Sequence, residues 1–400
     1  MLCTNGSVLP GIIGITERGA EPRLAVHAAL ADLPAAALGL FADPAEDLFA
    51  SRLWLATLIA HALPQGWTPR LALCSTDGTP VALLPLGGRA ERGAALQSLS
   101  GLYTPTFRPL LLPGTSPALA GSAFGRFCRS AGLVRLDALA ADTPGLDEFV
   151  CGLRSAGLAV LRFDHFGNWY EPVMGLSFDD YLRGRPSALR NTIRRKMRRA
   201  LASGTFAMIT GEPALSGGIE TYEAVYSRSW KRPEPFPAFH PALMRAAATQ
   251  GLLRLGVLCL SGAAAAAQLW IVSGRRAILL KLAHDEAFVG FSPGTVLTAL
   301  MIERLLGEAH LNELDFGCGD DLYKQLWTSY RRQRIGFMLA NPRRLRGLAE
   351  IGRSLLGAGR RAVLASLRTR GRPMTVRASA DPNIVAQSGV SKFEHEASGE

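Results

Sequence analysis

Apolar and polar positions along this 400-residue chain alternate between two periods. Short apolar runs bounded by turn residues predict strands, and apolar residues at three- and four-residue spacing predict helices. Residues 22–62 read as mainly helical around Pro44, with Trp54, Leu55, Leu58 and Ile59 on one side. RLALCSTDGTPVALLPLGGR holds two apolar runs about a DG turn, which predicts a hairpin over 70–86. Residues 93–113 predict a strand and a proline-broken loop. A helix ending at Gly132, the strand LVRLDAL, a helix in TPGLDEFVCGLRSAG and the strand LAVLRFDHFGNWYEPV complete a first mixed unit.

A second mixed unit begins near Ser177, a plausible N-cap with Asp179 and Asp180 in the first turn. Pro186 splits the following pattern into two helices. A strand over 205–210, a helix near 215–230, the loop PEPFPAF and a helix stopped by Gly251 follow. LLRLGVLCL, AAAAQLWIV and AILLKLAHD, joined by short turns, predict a three-stranded meander. The next helix gathers Val296, Leu297, Leu300, Met301, Leu305 and Leu306 on one side. NELDFGC reads as a strand, DDLYKQLWTSY as a helix and IGFMLAN as the last strand. These elements divide the chain into 1–175, 176–342, a basic amphipathic helical segment 343–372 and a disordered polar tail 373–400. The fold class is α/β (α+β), with mostly antiparallel mixed sheets flanked by helices.

Composition narrows the reading. The longest uncharged run lies between Arg254 and Arg275, and its SGA and SGR turns make it two strands and no membrane helix. No basic region precedes the apolar residues at the N-terminus, so no signal peptide is expected. Six scattered cysteines show no CxxC or CxxH spacing, which argues against a metal site and a disulfide framework and fits a cytoplasmic protein. The net charge of +11 sits in two blocks. Residues 183–199 carry seven Arg, one Lys and no acid; residues 343–372 carry nine Arg and one Glu. Such blocks suit phosphates, nucleic acid or anionic lipid, or form solvated helix faces.

Two stretches hold candidate chemistry. In FSPGTVL a helix opens directly behind a strand and a short loop. Its first amides lack intrahelical partners and point at whatever lies before the helix. Gly294 lets a phosphate approach the backbone, Pro293 pre-sets the helix, and Ser292 and Thr295 offer hydroxyls. The same residues also suit an ordinary helix start. Neither G-x-G-x-x-G nor a P-loop is present. In LDFGCGDDLYKQLW a strand end carries Asp315, followed by Asp320, Asp321, Tyr323 and Lys324. A carboxylate there would take a proton from an attacking amine or hydroxyl, and a tyrosine would return one to a leaving thiolate. The structural alternative makes Asp320 a helix cap and Tyr323 a packing residue.

WKRPEPFPAFHPALM, the meander, FSPGTVL and LDFGCGDDLYKQLW occur in the order and spacing of the BioF2-like acetyltransferase domain. That domain is found in proteins similar to the cellulose-biosynthesis protein CelD. It belongs to the GNAT superfamily and is close to the FemAB-type transferases. The resemblance covers residues 180–330 and extends faintly to LSGLYTPTFRPLL. It implies tandem GNAT-like units, the second binding acetyl-CoA or another acyl-CoA, with no metal. Carried over, Ser292, Pro293, Gly294, Thr295 and Val296 hold the pyrophosphate. Asp315, Asp320, Tyr323 and Lys324 line the acyl and acceptor site. From the residues themselves, Asp315, Tyr323 and Asp320 are the catalytic candidates, and Trp230, Lys231, Lys281, Asp321, Lys324, Arg194 and Arg198 the expected substrate-binding ones. The implied activity is acyl transfer to an amine or hydroxyl of a glycan or other acceptor in polysaccharide or cell-envelope biosynthesis. The alternatives are a FemAB-like transferase using aminoacyl-tRNA and a non-catalytic protein docking on a membrane or assembly partner. An anionic membrane surface is a further partner expected for 343–372, at the inner membrane face. His240 and His284 are isolated and are expected to be structural.

Overall fold

The computed structural model describes residues 21–356 apart from 92 and 309. The first half runs β1 (Arg23–His27), three short 3-10 turns, α1 (Arg52–His61), β2 (Trp67–Thr76), β3 (Thr79–Arg89), β4 (Leu96–Ser98), β5 (Leu110–Leu111), α2 (Pro117–Ala131), β6 (Leu133–Ala140), α3 (Leu146–Ser155) and β7 (Ala159–Pro172). The second half runs α4 (Phe178–Arg183), α5 (Ser187–Ser203), β8 (Gly204–Ile209), α6 (Leu215–Ser227), α7 (Phe239–Thr249), β9 (Leu253–Leu260), β10 (Ala263–Ser273), β11 (Arg276–His284), a 3-10 segment (Glu286–Phe291), α8 (Pro293–Glu308), β12 (Glu313–Cys318), α9 (Lys324–Trp327) and β13 (Tyr330–Ala340). A last helix, α10, occupies 345–356. The expected tail at 373–400 lies outside the described residues.

Two sequence expectations change. Residues 22–50 form an edge strand and 3-10 turns, because Arg23–His27 find a ladder on β2 and Pro34 and Pro44 interrupt any longer helix. The helix expected in DDLYKQLWTSY shrinks to the single turn α9. Gly317 and Gly319 take left-handed φ of 66° and 99°, and the Asp320 and Asp321 side chains turn to Arg331 and Lys324 and leave no helix capped.

The strands join one 13-stranded sheet in the order β1-β2-β3-β4-β6-β13-β7-β12-β11-β10-β9-β8, with β5 beside β3. Each half repeats one plan: an antiparallel set, a helix, then a strand parallel to one of that set. These parallel pairs are β4–β6 and β11–β12. The last strand of each half is exchanged. β7 pairs with β12 of the second half, and β13 pairs with β6 of the first. The two exchanged strands also pair with each other from Tyr330↔Tyr170 to Ala340↔Ala159. The sheet therefore has no break at residue 175.

Three apolar clusters fill the layers. One lies beneath α2 and α3. The helices approach closely because Gly121, Gly125 and Gly152 face across them; a Cβ on Gly152 would lie 2.1 Å from the Ala118 carbonyl oxygen. A second lies beneath α5 and α8. The third bridges the halves, from Trp54, Leu58 and Tyr103 to Tyr222, Phe239 and Leu243. Among the described residues no helix is long and apolar enough to cross a membrane.

A candidate acyl-transfer site at the start of helix α8

The parallel ladder between β11 and β12 ends at Ile278↔Asp315, while β11 continues to His284. Gly317 (φ 66°) lies close against β11 just past that pair: a Cβ there would lie 2.6 Å from the Leu279 carbonyl oxygen. Beyond it the two strands form no further register pairs among the described residues, which leaves a gap in the ladder between β11 and β12.

The start of α8 is held from below. Gln268, fully buried on β10, donates to Thr298 Oγ1 at 2.7 Å, and Thr298 donates to the Gly294 carbonyl at 2.8 Å. Trp270 Nε1 locks the amide by donating to Gln268 Oε1 at 2.7 Å. Ser292 is left-handed (φ 53°, ψ 52°) and Val296 N donates to its carbonyl, so the amides of Gly294 and Thr295 are the ones left for an outside acceptor. A Cβ on Gly294 would sit 3.3 Å from His284 Nδ1, so only glycine leaves this approach open. Lys196 and Arg199 of α5 flank the preceding 3-10 segment: Lys196 donates to the Gly290 carbonyl, and Arg199 lies over the Phe291 ring at 4.5 Å. Backbone donors, missing side-chain bulk and flanking cations fit a coenzyme A diphosphate.

Beside this cradle lies a cluster of charge. Glu234, from the PEPFP loop, accepts from Lys281 at 2.6 Å, Tyr103 at 2.6 Å and Tyr226 at 2.7 Å. Burial opposes its charge, but Lys281 and these hydrogen bonds pull its pKa down to about 2. Tyr103 comes from the first half, stacks on Phe239 at 4.4 Å and carries Lys281 over its ring. Lys324 is buried and bonds to the Cys318 and Gly319 carbonyls and to Asp321. Lys231 is half-buried, its ammonium over the Trp230 ring, and Trp230 packs on His284 at 4.3 Å. Burial, then Lys281, lower the Lys231 pKa to about 8 against the pull of Asp321 and Glu234. Burial and the same cations hold His240 neutral, its pKa near 3, among Tyr103, Tyr222 and Phe239. Burial also lowers the His284 pKa, and its Nδ1 is buried without a hydrogen-bond partner among the described residues. Burial and Asp321 raise that of Tyr323.

The structure thus gathers Trp230, Lys231, Lys281, Asp321 and Lys324 around the cradle, together with Tyr323. Two of the three expected catalytic groups are held in ion pairs. Asp315 is buried, with Oδ1 accepting from Asn168 and the Gly317 amide and Oδ2 paired to Arg332 at 2.6 Å. Its task is to hold the exchanged strands β7 and β13 against β12. Asp320 lies against Gly167, clasped by Arg331 at 2.6 and 2.7 Å and by Trp169, and the Arg331 hydrogen bonds lower its pKa. Arg194 and Arg198 are exposed on α5, away from the charge cluster, and form no ion pair among the described residues. Sequence reasoning missed Tyr103 and Glu234. The one signal for Glu234 was a lone acid within a proline loop after WKR.

Residues 187–325 match the family model of the acetyltransferase (GNAT) domain. The second half of this chain carries a GNAT-type acetyltransferase domain. The crystal structure of FemX overlays with a TM-score of 0.54 at 14% identity, covering 76% of this chain and 95% of that one. A tandem GNAT protein from the clavulanic acid biosynthesis pathway overlays less closely, with a TM-score of 0.48 at 15% identity over 80% of this chain and 98% of that one. At such identities the FemX likeness speaks for the fold alone. No curated protein is significantly similar in sequence. The matched stretch runs from α5 into α9 and so includes the β11–β12 pair and the start of α8.

Proposed function

We propose that the protein transfers an acyl group, acetyl in the simplest case, from acyl-coenzyme A to an amine or hydroxyl. The open start of α8 beside the gap between β11 and β12 carries this reading. The diphosphate rests on the Gly294 and Thr295 amides and the Ser292 hydroxyl. The pantetheine arm follows the gap and brings the thioester beside Tyr323 and the lysine cluster. The acceptor attacks the thioester carbon, the carbon–sulfur bond breaks, and Tyr323 protonates the thiolate. Holding the two reactants side by side supplies several kcal/mol of the acceleration. The resemblance to CelD-like proteins supports a sugar amine or hydroxyl of an envelope or polysaccharide precursor as acceptor, and a cytoplasmic site of action. The division into units 1–175 and 176–342 belongs to the same reading. Calorimetry with coenzyme A and acetyl-CoA tests it: micromolar heats are expected, and no heat with either would end the proposal.

Arg194 and Arg198 of α5, exposed and without an ion pair among the described residues, favour a second donor, an aminoacyl-tRNA, since phosphates dominate affinity for RNA. Binding of tRNA that weakens steeply with salt, without any coenzyme A heat, would select it.

Helix α10 supports peripheral docking on an anionic membrane. It rests on the body through buried Gly347 and turns Leu345, Leu348, Leu355 and Leu356 to solvent, each more than half exposed, with Arg343, Arg344, Arg346 and Arg353 flanking them. An apolar stripe edged by arginine suits the headgroup boundary. Co-flotation with phosphatidylglycerol vesicles, reduced in the double variant Leu348→Glu/Leu355→Glu, is expected; protein left at the bottom of the gradient refutes the docking.

A further inference from the structure

This chain uses arginine for nearly all its positive charge: it has 39 arginines and five lysines, at 196, 231, 281, 324 and 392. Three of the five meet in the charge cluster, and Lys196 stands beside the cradle. Only lysine, of the two, exchanges its proton within reach of neutral pH.

The three clustered lysines are not equivalent. Lys281 is paired with Glu234 and Lys324 with Asp321. No hydrogen bond or ion pair to the Lys231 amine forms among the described residues. Lys231 stands between the two pieces of the proposed site. Trp230 ties its loop to His284, which faces Gly294, and Asp321 and Lys324 approach from the turn after β12. The groups facing it are Lys281 and His284 from β11, Glu234 from its own loop, Asp321 and Lys324 after β12, and His240 from α7. The carboxylates among them are already engaged: Glu234 takes three donors, and Asp321 is paired.

We propose that Lys231 is the base of the transfer, its neutral ε-amine taking the proton from the acceptor's attacking nitrogen or oxygen. This rests on the acyl-CoA reading. As the new C–N or C–O bond forms, the acceptor proton passes to Nζ; the C–S bond breaks and sulfur keeps the electron pair. The thiolate takes the Tyr323 proton, and the Lys231 ammonium restores it to Tyr323 directly or through water. An acceptor that arrives as an ammonium releases one further proton to solvent. Burial and the adjacent Lys281 outweigh the pull of Asp321 and Glu234 and keep part of Lys231 neutral near pH 8.

Five lysines make the test direct. The full chain is labelled with ¹³Cε-lysine and titrated by NMR, and Lys231→Arg assigns the signal. The result expected is one resonance with a midpoint near pH 8 that shifts when acetyl-CoA is added. A Lys231 midpoint above 10 overturns the proposal. So does a signal that acetyl-CoA leaves unmoved while it shifts the Gly294 and Thr295 amides. If acetyl-CoA shifts nothing, the acyl-CoA reading has failed, and the base assignment falls with it even if the midpoint stands near 8. Thiol release from acetyl-CoA with glucosamine supplies the kinetic arm. Lys231→Met should lose at least about 100-fold in kcat and the rising limb of the pH profile, with acetyl-CoA affinity kept. His284→Asn should keep that limb; a limb that follows His284 instead refutes the assignment.

Discussion

Both halves begin a helix with Ser-Pro, α2 at Ser116-Pro117 and α8 at Ser292-Pro293, and the two starts end up opposite in character. Ser116 is extended, and its Oγ accepts from the Leu119 amide, so α2 closes on its own cap. The position of a Cβ on Gly145, just before α3, lies 2.6 Å from the Pro117 ring, which seals that end further. Ser292 is left-handed, and its hydroxyl forms no hydrogen bond among the described residues. The neighbouring parallel pairs each carry a buried aspartate. At β4–β6, Gln97 and Arg135 converge on Asp137, whose amide donates to Ser98 Oγ. At β11–β12, Asp315 is bound by Asn168 and Arg332, and Lys281 further along β11 by Glu234. One dipeptide thus serves as a closed joint in one half and as an open cradle in the other, and the backbone angle of the serine decides which.

The sharpest way to break this contrast is to overfill the first half. Gly152→Val would drive a side chain into the Ala118 carbonyl, and a loss of roughly 3 kcal/mol is expected. Because β7 and β13 are exchanged, calorimetry should show both halves melting in one lowered transition. Two separate transitions would show that the exchange does not couple them.

Filling the second half should weaken binding more than it lowers stability. Gly294→Val is expected to weaken coenzyme A by about 100-fold, roughly 2.7 kcal/mol, with a smaller drop in Tm than Gly152→Val. Unaltered affinity would place the diphosphate elsewhere.

Acid should act through the second half first. Glu234 has its pKa depressed from 4.5 to about 2. Its contribution is complete above pH 4.5 and is lost as pH falls toward 2, about 2 kcal/mol in all after allowance for its partial exposure. His240, depressed from 6.5 to about 3, also costs stability as pH falls below 6.5, because the unfolded chain takes up the proton first. Glu234→Gln should flatten the acid limb of denaturant midpoints between pH 4.5 and 2, and an unchanged limb would contradict the pairing with Lys281.

The smallest effect belongs to the closed cap. Ser116→Ala should cost about 1 kcal/mol and leave coenzyme A binding as it was. Weakened binding would mean that the two helix starts communicate.

Much of the fold was legible because it is local. The DG hairpin, the meander and the apolar side of α8 each declare a period within a few residues, and Ser177 caps α4 as its spacing suggests. The first 30 described residues misled because alanine and leucine satisfy helical spacing whether or not a partner strand is waiting. In the site, Lys231, Lys281 and Lys324 could be named from motifs. Their division of labour could not, since it depends on which carboxylate reaches which amine.

Taken alone, the sequence determined the mixed α/β run of hairpins and helices, the helix start at Ser292-Pro293 and the segment that holds the lysines. Those follow from hydrophobic period and turn chemistry, which act over one or two turns of chain. Only the tertiary structure decided that β7 and β13 change places, that Asp315 is a strut paired to Arg332, and that Tyr103 crosses from the first half to Glu234. Each of these joins residues more than ten positions apart, and desolvation and charge pairing at such contacts depend on positions in space that local spacing does not encode.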